Sequence, residues 1–448
     1  MVYPANVTGG RTWRRGVPLA IGLVASGLLA TAIADARVVD GCDLKPRTIC
    51  EEMVLPFNGG LLDEDLSGAS FYRSDLSGAY IERTKLVRAN LSRTLLNEVL
   101  FLRSSLMDAN LSYAASGSIN FGSLSLSRAN LRGVTFRTSS FIAVNATLAD
   151  LTGAEMPSMT IGPTSTQPST WADAEFTRAV LTDARITDTS LAGASFADAD
   201  LRGAELSSVD LSDANLSGVN LSKATLRTVR FNRAQLPVAT LVDTILHGAD
   251  FTGANVSGLV LQDATVRGAF FSRASGNLYV RLSNLTATAN DDDYAYPNSL
   301  AHSDLRDSEF LDSDLRGVDF TDSDLRNSDF TGSNIRTAIF DSADMRGVIL
   351  PDSALIGRPT FGCNRQTRWS GDYAERFGPY CRSKGDKVKP VWCRDDYNKT
   401  PGLCAICGRI CIVGRGVDSG AEMSPAACDR RQQAATRAGP GGQFVALG

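Results

Sequence analysis

The side chains that most often carry chemistry are scarce in this chain or fall into a pattern that argues against a reaction. Only two histidines, His247 and His302, occur in 448 residues, and no Ser/His/Asp set, phosphate-binding glycine loop or nucleotide fingerprint stands out. His247 follows Leu246 and His302 precedes Ser303; both read as solvated surface residues. Carboxylates are plentiful, and Asp304, Glu309, Asp314, Asp319, Asp324 and Asp329 recur every five residues. A pair of carboxylates flanking a sugar would suit a glycosidase or lyase. An aligned run of acids is more often a repeated turn-forming choice, so these six are carried as a candidate interaction surface and no catalytic residue is assigned. Asp291, Asp292 and Asp293 offer the hard oxygen ligands that calcium takes, without the alternate-residue spacing and glycine of an EF-hand loop. Cys404-x-x-Cys407-x-x-x-Cys411, completed by Cys393 or Cys428, has the thiol count of a zinc site. Neither signal is strong enough to assign a metal or cofactor.

What must position these groups is a repeat. Every fifth residue from Leu61 to Phe271 is apolar with few lapses, and the phase restarts at Leu300 and holds to Leu355. Of the 43 frame positions between 61 and 271, only Ser116, Ala146 and Thr166 are not large and apolar, which excludes chance. Two residues before each centre sits a small side chain, as in Ala194, Ala199, Ala204 and Val209. A period of five matches neither the 3.6 of a helix nor the 2.0 of a flat strand, so the chain must turn a corner at each repeat. Burying one Leu or Phe contributes roughly 1.5–3 kcal/mol, whereas ordering five residues costs on the order of 5–10 kcal/mol. One unit cannot fold alone, and stability must come from stacked neighbours and the hydrogen bonds between them.

The runs Ala199-Asp200-Leu201-Arg202-Gly203, Ala204-Glu205-Leu206-Ser207-Ser208 and Ala214-Asn215-Leu216-Ser217-Gly218 resemble the pentapeptide-repeat family, whose unit is a small residue, Asp or Asn, Leu or Phe, a polar residue and often Gly. The resemblance covers about two thirds of the chain. It implies an all-β fold, a right-handed quadrilateral parallel β-helix solenoid with four repeats per coil, which this sequence follows with a cysteine-rich C-terminal extension. On that reading there are roughly fourteen coils, some 65 Å tall at about 4.8 Å per level. Residues twenty apart then stack, so Arg306 lies under Arg326 and the acids are neutralised by flanking arginines in surface pairs worth little individually. Some members of the family mimic duplex DNA and inhibit topoisomerases through an acidic rod, which makes DNA mimicry the alternative if this chain is cytoplasmic. A polysaccharide-active parallel β-helix is the rival enzyme reading, though such enzymes have longer, irregular coils.

The flanks point out of the cytoplasm. Arg11, Arg14 and Arg15 precede an uncharged run from Val17 to Ala34 that ends in Ala32-Ile33-Ala34. This is the pattern of a secretory signal, and the run 17–34 also reaches the length of a marginal membrane anchor. The formal charge of −4 becomes −7 once those arginines are removed. None of the nine cysteines falls in the repeat frame: Cys42 and Cys50 precede it, and Cys363, Cys381, Cys393, Cys404, Cys407, Cys411 and Cys428 follow it. Open sheet edges at both ends of a solenoid need caps, so all nine are disulfide candidates in an oxidising compartment, with one left over because the count is odd. The expected organisation is a signal peptide or anchor over 1–34, a cysteine-containing cap over 35–60, the repeat helix over 61–275, an insertion loop over 276–299, a second repeat segment over 300–357 and a basic cysteine-rich region over 358–448. The segment Pro157 to Thr170 reads as an in-frame loop or one imperfect coil. From Arg358 onward there are fifteen Lys or Arg against eight acids, while residues 288–334 hold twelve acids against three Arg; this suggests a dipolar rod. The functional expectation is an extracytoplasmic, periplasmic or secreted, non-enzymatic scaffold that binds an unidentified protein partner and no nucleic acid.

Overall fold

A computed structural model describes residues 37–39, 41–55, 60–285, 298–351, 367–369, 403–406 and 409–412. The repeats form a parallel β-solenoid with four walls, numbered here in chain order from the wall of Leu61 through those of Leu66, Phe71 and Leu76. The centres at these positions are buried to within 1 % of full. Eleven strands build the longest sheet, running from Leu61–Leu62 to Thr265–Arg267 up the first wall. Paired residues Asn284, Asp314 and Asn334 carry that wall through three further levels.

One repeat shows why the period is five. In Asp200 to Ala204 every backbone N–H has a defined acceptor. Asp200 donates down to the Ala179 carbonyl at 2.9 Å, and Leu201 donates up to Asn220 at 2.8 Å. Gly203 donates up to Ser222 at 3.0 Å, and Ala204 closes the turn on Leu201 at 3.1 Å. The remaining donor, Arg202 N–H, goes to the Asp200 carboxylate at 3.1 Å. Buried peptide groups must be paired, and the Asp or Asn before each centre pairs the one that the backbone leaves over. The corner residue after it is left-handed, φ +73° at Gly203. Many non-glycine residues hold the same corner, among them Arg233 at +58° and Asp213 at +60°. Each of those accepts a cost of about 1–2 kcal/mol, offset by the interlevel hydrogen bonds the corner permits.

The core is a column of stacked side chains. Phe101, Phe121 and Phe141 lie nearly parallel on the first wall, with centroids 5.2 and 4.9 Å apart. Phe231, Phe251 and Phe271 do the same on the second at 4.6 and 4.4 Å. Between Ser303 and Ser333 the small inner residue is mostly Ser in place of Ala. Ser323, Ser328 and Ser333 each donate to a carbonyl of the coil before, those of Leu300, Leu305 and Phe310.

Both breaks in the repeat are absorbed without ending the stack. At the first, Ile161 pairs with Ile186, twenty-five residues on, because five extra residues at the corner form a turn closed by Thr164 N–H on the Gln167 carbonyl at 2.9 Å. Thr166, a lapse in the frame, lies in that turn. At the second, the expected insertion loop is narrower than 276–299. Residues Leu278–Arg281 form a strand of the fourth wall, pairing with Leu259–Gln262 below and Glu309–Leu311 above. Leu278, Val280 and Leu285 are fully buried. The pair Leu261 and Val280 is nineteen residues apart, so one residue is missing, and Phe270 then pairs with Ser299, twenty-nine on. The extra chain is confined between Leu285 and Asn298. The missing residue removes a centre: Gly276 stands where the third wall calls for a Leu or Phe, at φ +112°.

A disulfide-closed segment precedes the first coil. Arg37–Val39 and Cys42–Leu44 pair antiparallel, and Cys42 is disulfide-bonded to Cys50 with Cα atoms 5.5 Å apart. Cys42, Leu44, Cys50 and Leu55 join the core. At the other end Arg368–Trp369 adds a rung beside Asp344–Met345, with Thr367 Oγ1 donating to the Phe340 carbonyl at 2.7 Å. In an antiparallel pair formed by Leu403–Ile406 and Arg409–Ile412, Cys404 stands opposite Cys411. Residues 1–34, Asp291–Asp293, Cys363, Cys381, Cys393, Cys407 and Cys428 lie outside the described residues. Among the described residues no helix is long and apolar enough to cross a membrane.

Candidate interaction surface

Residues five apart occupy successive walls, so the six acids do not share a surface. Asp304 and Asp324 pair on the third wall, Glu309 and Asp329 on the fourth, Asp314 lies on the first and Asp319 on the second. This corrects the expectation of one acidic ladder: consecutive acids climb a spiral, and a column gains a member only every twentieth residue. All but Glu309 occupy the turn-capping position, and four accept the N–H two residues on, Arg316, Thr321, Arg326 and Thr331, at 2.8–3.3 Å.

On the third wall the acids are matched to arginines. Arg306 reaches Asp304 at 2.7 and 2.8 Å, Arg326 reaches Asp324 at 2.8 and 2.6 Å, and Arg346 reaches Asp344 at 2.8 and 2.6 Å. Each is a two-point fork, and the first two arginines also face the next acid up, Arg306 to Asp324 at 3.8 Å and Arg326 to Asp344 at 3.9 Å. Arg368 of the last rung adds a contact to Asp344 at 3.4 Å. The arginine hydrogen bonds hold the Asp304 and Asp344 carboxyls below the ordinary carboxylate range. Asp314 is likewise forked by Arg316 at 2.9 and 2.7 Å.

Asp319 differs. Burial pushes its carboxyl above the ordinary range, against the Thr321 hydroxyl and amide that favour the charged form. His302, read as a free surface residue, faces Asp322 at 3.4 Å, stacked one coil above it. His247 stacks over Arg227 at 3.3 Å. Among the described residues no three His, Cys, Asp or Glu side chains converge as metal ligands.

Amides share the third-wall position with the acids. The same third-wall column that holds Asp150, Asp304, Asp324 and Asp344 holds Asn90, Asn110 and Asn130 in three successive coils. The signal was available, because a carboxamide replaces a carboxylate at a position where both do the same capping work.

A family model described as pentapeptide repeats matches the chain in eight copies, over residues 84–115, 119–156, 194–268 and 299–352. The chain belongs to the pentapeptide-repeat family. Among solved structures it is similar to HetL, a pentapeptide repeat protein involved in heterocyst differentiation regulation from the cyanobacterium Nostoc. The identity is 22 %, covering 62 % of this chain and 90 % of that one, with a TM-score of 0.25. It is similar also to QnrB1, a plasmid-mediated fluoroquinolone resistance protein, at 18 % identity over 44 % of this chain and 98 % of that one, TM-score 0.25. A pentapeptide repeat protein from the Arabidopsis thaliana thylakoid lumen shares 31 % identity over 25 % of this chain and 66 % of that one, TM-score 0.13. No curated protein matches the sequence.

Proposed function

We propose that this chain works outside the cytoplasm, periplasmic or secreted, as a non-enzymatic scaffold or protein-binding module whose flat walls are its working surfaces. The observation that carries the reading is the buried Cys42–Cys50 disulfide that closes the N-terminal edge, directly after a leader of secretory pattern. Disulfides persist in oxidising compartments, and a cap that depends on one belongs there. The walls support the non-enzymatic part. Their acids serve as turn caps and arginine partners, and the six in question are distributed over four walls, so they do not converge on one bond of a substrate as a hydrolase or lyase pair would.

DNA mimicry is less well supported. A duplex presents one unbroken column of negative charge, whereas the longest acid column of the last coils, Asp304, Asp324 and Asp344, alternates with Arg306, Arg326 and Arg346. The test is cell fractionation of the native host combined with N-terminal sequencing. A chain starting near Asp35, or an uncleaved chain in the membrane fraction with its repeats open to external protease, is the expected result. An uncleaved soluble protein in the cytoplasm would overturn the proposal and restore the DNA-mimic reading.

A further inference from the structure

The third wall changes character along its length, and the turn cap by itself does not require the change. Asn90, Asn110 and Asn130 cap their turns through the side-chain oxygen, accepting from Ser92, Ser112 and Arg132 N–H at 3.1–3.2 Å. Asp150 caps Thr152 in the same way at 3.0 Å in the next coil of the same column. Aspartate would therefore serve the fold, and its absence from three consecutive levels removes three negative charges. What remains is a row of amide donors. Asn90 Nδ2 reaches Ser70 at 3.2 Å and Asn110 Nδ2 reaches Asn90 at 3.4 Å, which uses one of the two hydrogens on each nitrogen.

Cations flank this row. Arg88 on the corner before the Asn90 level is 79 % exposed in its side chain. It lies 3.9 Å from Asp108, a carboxylate already forked by Arg128 at 2.6 and 2.9 Å. Arg93 on the corner after that level lies over the Tyr113 ring at 5.4 Å and among the described residues meets no carboxylate. Tyr113 is 60 % exposed and leans over Gly133, where any side chain would strike its ring. From residue 83 to 137 the sequence holds eight Lys or Arg against two acids. The wall thus offers donors, guanidinium groups and an aromatic edge, repeated at the coil spacing of about 4.8 Å.

We propose that this part of the third wall, centred on Asn90, Asn110 and Asn130 between Arg88 and Arg93, binds a linear carboxylate-bearing polysaccharide lying along the solenoid axis. Carboxylates satisfy the arginines, sugar hydroxyls and ring oxygens satisfy the amides, and Tyr113 offers an apolar edge to a ring. A repeating polymer fits a repeating row, and each further level engaged adds to the affinity without a new kind of contact. The inference does not rest on the compartment, since binding is read on the purified protein.

The test is affinity electrophoresis and calorimetry of the full chain with polygalacturonate, neutral dextran, duplex DNA and phosphatidylglycerol vesicles, in low and high salt. Retention by polygalacturonate that weakens with salt and is absent with dextran is expected. Asn110→Asp keeps the turn-capping acceptor, removes the amide donor and adds one negative charge to the neutral row, and should weaken polygalacturonate binding by about ten-fold. Asn215→Asp makes the same exchange in a distant coil of the same wall and should leave binding unchanged. Three results would each overturn the proposal: binding of DNA or vesicles but not polygalacturonate, equal loss in both variants, or salt-sensitive self-association of the protein in place of polymer binding.

Discussion

At the scale of the residue, the repeated Asp or Asn is a capping group first and a charge second. This explains why a carboxamide can replace a carboxylate on the third wall. Asp319 is the member whose charge works against the fold. Its folded carboxyl titrates above the ordinary range because burial disfavours the anion. A raised carboxyl favours the folded state below the unfolded value near 4, and that advantage is lost as pH rises through the folded value. Asp319→Asn keeps an acceptor for the Thr321 amide and hydroxyl and removes the buried charge. The variant should melt higher than the parent at pH 7, and the difference should vanish at pH 3 in thermal unfolding followed by circular dichroism.

At the scale of the element, the corner decides what the coil tolerates. Gly276 sits at φ +112°, and a methyl group there would strike the Ser257 backbone nitrogen and Cα at 2.6 and 2.7 Å. Gly153 sits at φ +65° with nothing within 4 Å of that position, a corner that Arg and Asp hold in other coils. Gly276→Ala should cost about 1–3 kcal/mol and Gly153→Ala about 1 kcal/mol, compared by urea unfolding. The repeat frame, the inward Leu and Phe, and the N-terminal cysteine cap were all readable from the residues, because a five-residue beat leaves one physical solution. The breaks were harder. A corner that swallows five residues keeps the frame, so Thr166 looked like a weak centre, whereas a coil short by one residue changes the phase and made the strand Leu278–Arg281 look like loop. Acids five apart read as one run along the chain, whereas a column is seen only by counting in twenties, as from Asn90 through Asn110 to Asn130 or from Asp304 to Asp324.

At the scale of the whole molecule, the solenoid is a stack whose stability is local and whose ends are its weak points. The N-terminal edge is closed by an antiparallel pair and a disulfide, and at the other end Arg368–Trp369 continues the wall from Asp344–Met345. Such a stack presents walls of different chemistry: an arginine-forked acid column toward one end of the third and an amide row toward the other. The proposed extracytoplasmic scaffold stands or falls on the state of one cysteine pair. The most direct measurement is alkylation of living cells of the native host before lysis, followed by mass spectrometry of the peptides containing Cys42 and Cys50. The account predicts that both cysteines are recovered unalkylated and joined to each other until a reductant is added after unfolding. Recovery of both as free, alkylated thiols from intact cells would contradict it.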